Sequence, residues 1–151
     1  MKPIVRTPTL TLALSLLAVG CGSSGAGPNE APAPAAPTVA VKELEVPAVA
    51  ALLAEHRATI VDVNGASTRA QYGIVPGARL LSSSSRFDVA AELPADKASA
   101  LIFYCANSEC GASHSAAERA AMAGYSDVSV MPAGIAGWKE AGQATEVAPQ
   151  G

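Results

Sequence analysis

The chain has 151 residues, of which 50% are nominally hydrophobic, 4% aromatic and 15% charged, with a formal charge of −3. Alanine fills 33 positions, so much of the apolar total buries little area, and the length allows one ordinary domain or a smaller one with a tail. The acidic balance excludes a nucleic-acid binder working by phosphate neutralisation, no apolar run reaches the ~20 residues of a membrane-spanning helix, and three cysteines are too few for a disulfide framework.

Residues 1–20 read as a signal peptide. Lys2 and Arg6 give a positive start, Leu10 to Val19 is an apolar run too short to span a membrane, and small residues lead to Cys21. The segment L-A-V-G-C resembles the lipobox of bacterial lipoproteins. That resemblance implies lipid attachment at Cys21, membrane contact through that anchor, and a location in the bacterial cell envelope facing the periplasm or another extracytoplasmic space. An ordinary secretory signal with an incidental cysteine is the alternative. Cleavage before Cys21 leaves 8 basic against 13 acidic residues, a charge of −5. Residues 21–38 are rich in Gly, Ser, Pro and Ala and bury almost nothing, which suits a tether rather than a folded unit.

The folded part is expected over residues 39–148. Pro47 to His56 has apolar residues at helical spacing with proline in the first turn, leaving His56 exposed at its end. Thr59 to Val63 is a β-branched strand, and Ala78 to Leu81 a weaker one after the turn signal Pro76-Gly77. A short helix is expected over Arg86 to Leu93. Ala100 to Tyr104 (A-L-I-F-Y) is apolar throughout, as a central parallel strand would be. Ser115 to Ala123 reads as a helix with Ser115 and Glu118 spaced as a capping box and Gly124 as its stop. Val128 to Met131 is a further strand and Gly134 to Ala141 a closing helix. Strands alternating with helices predict an α/β sandwich around a mostly parallel sheet.

In such sheets, sites form beyond the carboxyl ends of strands. Cys105 stands there, directly after A-L-I-F-Y and before a helix beginning near Ser113. The loop between them is Ala106, Asn107, Ser108, Glu109, Cys110, Gly111, Ala112 and Ser113. Backbone N–H groups turned inward, with a helix dipole behind them, would favour a thiolate or persulfide anion at Cys105. A buried structural cysteine is the plainer alternative.

Four segments in order then resemble the rhodanese-like domain: Asp62-Val63 its D-V-R, Gln71 to Ala78 (Q-Y-G-I-V-P-G-A) its E-Y-x-x-G-H-I-P-G-A turn, Phe103 to Cys105 (F-Y-C) its catalytic cysteine after the central strand, and Met131 to Trp138 (M-P-A-G-I-A-G-W) its terminal L-x-G-G-I-x-x-W. The resemblance spans Val41 to Gly142. It implies a three-layer sandwich with helices flanking the sheet, and Cys105 as the catalytic residue that carries a persulfide sulfur, with no cofactor. The sequence departs from the family at Asn64, which replaces the Arg of D-V-R, and at Ile74, which replaces the His. Its loop is longer than C-R-S-G-x-R-S and has no Arg or Lys, Glu109 being the single charge. The resemblance therefore does not carry thiosulfate turnover with it. Phosphatase and arsenate reductase chemistry lack their C-x5-R phosphate cradle.

Two further residues extend the site. Cys110 can serve as a resolving thiol for a persulfide, sulfenate or mixed disulfide on Cys105, or can merely fill the loop. His114 can act as an acid or lower the Cys105 pKa, or can be a solvated first-turn residue. A Cys105–Cys110–His114 soft-metal trio lacks a fourth ligand, so no structural metal is expected. Trp138 and Tyr104 read as packing residues.

Three readings follow. The first is a tethered monomeric sulfurtransferase that takes sulfur from a small donor and passes it to a thiol acceptor such as a protein thiol. The second is a dithiol–disulfide module of Cys105 and Cys110. The third is a non-catalytic binding module.

Overall fold

The computed structural model describes residues 40–149, so the signal peptide, Cys21 and the tether lie outside the described residues. Among the described residues, five strands and five helices alternate. They are β1 (Lys42–Glu43), α1 (Val46–Ala54), β2 (Thr59–Asp62), α2 (Ala66–Tyr72), β3 (Arg79–Leu80), α3 (Val89–Glu92), β4 (Leu101–Tyr104), α4 (Ala112–Met122), β5 (Val128–Val130) and α5 (Gly134–Glu140). All five strands pair in parallel, in the order β1-β5-β4-β2-β3. The predicted α/β class with a parallel sheet between helices is what the chain forms.

β4 sits in the middle of the sheet, with all four residues buried. Strand alternation sends its side chains to two separate cores. Leu101 and Phe103 join Val61, Val63, Val128 and Val130 against Ala116, Ala117 and Ala120 of α4. Ile102 and Tyr104 join Ile60 against Val49 of α1 and Ile135 and Trp138 of α5. Five of the six aromatic residues, Phe87, Phe103, Tyr104, Tyr125 and Trp138, are buried. The low aromatic content is thus spent almost entirely on the cores, and the alanine face of α4 lets that helix approach the sheet closely.

Several boundaries differ from the sequence expectation. β1 went unpredicted because it is two exposed charged residues on the sheet edge, with no apolar signal. The polar helix α2 buries no residue outright and shows no apolar stripe. α3 is shorter than the expected span from Arg86 to Leu93; Asp88 caps it by accepting from the N–H groups of Ala90 and Ala91 at 2.9 and 3.2 Å. α4 begins at Ala112, three residues before the expected Ser115, so the capping box does not form. Ser115 lies one turn inside, where its hydroxyl donates to the Gly111 carbonyl at 3.3 Å.

The chain after α5 returns to the turn that follows α2. Ile74 and Glu146 exchange backbone hydrogen bonds, both 2.9 Å, and the Glu146 carboxylate accepts from the Gly77 N–H at 3.0 Å. Gly73 makes this approach feasible: its φ is +76°, and a Cβ there would stand 2.8 Å from the Glu146 carbonyl. Among the described residues no helix is long and apolar enough to cross a membrane.

Candidate active site

β4 ends at Tyr104, and Cys105 begins the loop at the carboxyl end of the sheet, where the sequence placed it. Two helices hold the loop. From α5, the Ile135 N–H donates to the Cys105 carbonyl at 2.9 Å and the Ala136 N–H to the Ala106 carbonyl at 3.0 Å. The first-turn amides of α5 are thereby satisfied by the loop rather than by a side-chain cap. Gly134 makes the contact close enough: its φ is +61°, and a Cβ there would stand 2.6 Å from the Cys105 carbonyl oxygen, the Ala106 carbonyl carbon and the Asn107 nitrogen. This is the physical content of the glycine in M-P-A-G-I-A-G-W.

From α4, the first turn meets sulfur through Ser113, whose hydroxyl lies 3.4 Å from the Cys105 sulfur, while no side chain caps the helix at Gly111. Cys105 is 1% exposed, whereas Cys110 is half-buried, and both are free thiols. The loop interior differs from the expected ring of amides around Cys105. The Cys105 thiol donates to the Cys110 carbonyl at 2.8 Å, with the Asn107 carbonyl at 3.9 Å and the Ser113 hydroxyl at 3.4 Å.

Burial pushes the Cys105 thiol up, and a hydrogen bond to Cys110 adds to this; the Ser113 hydroxyl and N–H oppose it without prevailing. At Cys110 burial again opposes ionisation. There, however, hydrogen bonds from the Cys105 thiol and from the N–H groups of Ala106 and Ala112 prevail, and its pKa is lowered. The sequence reading placed amide support at Cys105; the structure instead turns the Asn107 and Cys110 carbonyls toward it, and the downward shift falls on Cys110. The reason is the turn through Asn107–Cys110, closed by the Cys110 N–H donating to the Asn107 carbonyl at 3.1 Å, which faces carbonyls toward Cys105.

The rest of the loop is outward. Asn107, Ser108, Glu109 and Gly111 are exposed, and the Asn107 side chain accepts from the Glu109 N–H at 3.2 Å. His114 turns away from both sulfurs and pairs with Glu43 of β1, Nε2 to Oε1 at 3.2 Å. It is a half-exposed first-turn residue tied to the sheet edge. The conceivable Cys105–Cys110–His114 metal trio is therefore not assembled, and among the described residues no three His, Cys, Asp or Glu side chains gather as a metal site.

Beneath the loop lies a buried polar network that sequence reasoning did not single out. The Tyr104 hydroxyl donates to Asp62 Oδ2 at 2.6 Å and accepts from the Val75 N–H at 3.0 Å. Asp62 Oδ1 accepts from the Asn64 N–H at 2.7 Å and lies 3.5 Å from Arg69 Nε, an ion pair without hydrogen-bond geometry at that nitrogen. Arg69 Nη2 donates to the carbonyls of Asp62 and Leu81 at 3.1 and 3.0 Å, closing the ends of β2 and β3. Burial, then the Asp62 charge, holds the Tyr104 phenol far above its ordinary value, so it stays a hydrogen-bond donor. An aspartate in the otherwise apolar strand T-I-V-D-V was the available signal. Trp138 is a packing residue, 4% exposed, with its indole N–H donating to the Ala144 carbonyl at 2.7 Å.

Solved structures share this fold. A rhodanese-like domain protein from Staphylococcus aureus is 22% identical with a TM-score of 0.55, the match covering 72% of this chain and 100% of that one. The Alr3790 protein from Anabaena sp. is 27% identical with a TM-score of 0.56, covering 68% and 90%. A thiosulfate sulfurtransferase from Pseudomonas aeruginosa is 25% identical with a TM-score of 0.53, covering 70% of this chain but 20% of that longer one. No curated protein sequence matches. The sequence profile of the rhodanese-like domain matches residues 45–141, from the start of α1 through α5 and across every residue of the loop. With that match over more than half its length and the parallel sheet that places Cys105, the chain belongs to the rhodanese-like domain family.

Proposed function

We propose that this protein is a sulfane-sulfur carrier in which Cys105 holds a persulfide. A small persulfide or polysulfide supplies the outer sulfur: a protein thiolate attacks it, the donor S–S bond breaks, and the donor leaves as a thiolate. An acceptor thiolate, small or on a protein, then removes that sulfur and restores the thiol. The observation that carries this reading is the position of Cys105, enclosed between the carboxyl end of β4 and the first turn of α4 with the Ser113 hydroxyl 3.4 Å from its sulfur. Polysulfides and persulfides suit the loop better than thiosulfate, because the loop has no Arg or Lys and exposes Glu109.

The test is mass spectrometry of the full chain after incubation with inorganic polysulfide. A sulfur increment on the loop that is removed by a thiol supports the reading. No increment from polysulfide or glutathione persulfide overturns it. The two neighbouring free thiols favour one second reading, a redox module in which Cys105 and Cys110 form a disulfide and pass two electrons and two protons to an external disulfide. A reversible midpoint in a thiol–disulfide titration supports that reading.

Location is part of the proposal. The apolar run Leu10–Val19 and Cys21 support a lipid-anchored protein of the bacterial cell envelope, with residues 22–38 as its tether. Fatty-acid labelling of wild type that is lost in Cys21→Ser supports this; equal labelling or none overturns it.

A further inference from the structure

We infer that Cys110, not Cys105, is the thiol that meets the external sulfur donor, and that the sulfur then passes inward to Cys105. This inference rests on the sulfur-carrier reading and assigns the order in which the two thiols act.

Four observations converge on it. Cys105 is 1% exposed, while Cys110 is half-buried and flanked by exposed Glu109 and Gly111. The Cys105 thiol is committed as a donor, 2.8 Å from the Cys110 carbonyl, so its proton lies along that bond and not toward solvent. The Cys110 thiol pKa is shifted down, opposite to that of Cys105, with the Ala106 and Ala112 N–H groups among the causes. The Cys105 sulfur lies 2.8 Å from the carbonyl oxygen of Cys110 itself, so the closed loop holds the two cysteines against each other and a sulfur atom on one is presented to the other.

The steps balance without an oxidant or reductant. The Cys110 thiolate attacks the outer sulfur of the donor, the donor S–S bond breaks, and the donor departs as its thiolate. Cys105 then attacks the outer sulfur of the Cys110 persulfide. Its proton goes to the Cys110 sulfur as the Cys110–sulfane bond breaks, leaving a Cys105 persulfide and a Cys110 thiol. The second step exchanges one S–S bond for another, so its direction follows from which site better holds the product. At Cys105 the Ser113 hydroxyl and N–H are the available donors.

Two arms test the inference on the full chain. The first labels wild type with iodoacetamide at neutral pH and digests with a glutamyl endopeptidase, which cuts after Glu109 and separates the two cysteines. Cys110 should label about tenfold faster than Cys105; faster labelling of Cys105 overturns the inference. The second follows sulfur loading from inorganic polysulfide, trapped with excess haloacetamide. Cys105→Ser should still gain sulfur, retained on Cys110, while Cys110→Ser should load Cys105 about tenfold more slowly than wild type. Wild-type loading of Cys105 in Cys110→Ser overturns the relay. If wild type takes up no sulfur at either cysteine, the carrier reading and the relay both fall. The labelling arm, which needs no sulfur chemistry and no variant, then still decides which thiol faces outward.

Discussion

Replacing Gly134 with alanine probes the support of the loop most directly. The added Cβ would stand 2.6 Å from three backbone atoms of Cys105, Ala106 and Asn107, and backbone cannot rotate away as a flexible side chain would. Relief requires α5 to withdraw, stretching the Ile135–Cys105 and Ala136–Ala106 hydrogen bonds of 2.9 and 3.0 Å. The left-handed φ of +61° costs an L-residue about 1–2 kcal/mol by itself, and overpacking adds about 1–3 kcal/mol. The expected loss is therefore about 2–5 kcal/mol, a large part of the ~5–15 kcal/mol typical of a domain. Gly77→Ala is the control, because its φ is +73° but nothing lies within 4 Å of the added carbon, so it carries the backbone cost alone. Urea unfolding followed through Trp138, the single tryptophan and a residue of α5, gives both values. If Gly134→Ala costs no more than Gly77→Ala, the close packing of loop on helix is not what requires glycine there.

Three further predictions concern the residues around the sulfurs. Tyr104→Phe removes the donor to Asp62 and the acceptor of the Val75 N–H, and urea unfolding should show a loss of about 2–4 kcal/mol; a loss under about 0.5 kcal/mol would count against the buried network. The alkylation rate of Cys110 should reach half its plateau below the ordinary thiol value of ~8.5. Cys105→Ala should move that midpoint up, because it removes one of the hydrogen bonds that favour the Cys110 thiolate; an unchanged midpoint contradicts the coupling. Cys105 holds its proton more tightly when folded, so it stabilises the fold fully below the unfolded thiol pKa and loses that contribution as pH rises through its raised folded value. The stability of wild type relative to Cys105→Ser should thus fall above about pH 8.5, and a constant difference through the alkaline range would refute it.

Much of this was legible in residue order. The apolar run A-L-I-F-Y announced β4 because a strand buried on both faces needs no polar alternation, and Cys105 immediately after it fell at the sheet end where sites form. Alternating strand and helix signals were enough for a parallel sheet. The elements missed were those whose existence depends on partners: β1 is two charged residues that become a strand only by pairing with β5, and α2 is a polar helix that serves to bring Arg69 to the ends of β2 and β3.

At the site, the sequence alone determined which atoms are available: two thiols five positions apart on one loop, with no basic residue and one acidic residue. It could not determine which thiol the amides serve. That depends on the peptide orientations between Asn107 and Cys110, and those are imposed from outside by α4 and by the first turn of α5 resting on Gly134. The Asn107 and Cys110 carbonyls consequently face Cys105, and it is the Cys110 thiol whose pKa is shifted down. Hydrogen-bond direction is a property of backbone dihedrals fixed by packing, so the assignment of the more acidic thiol belongs to the tertiary structure.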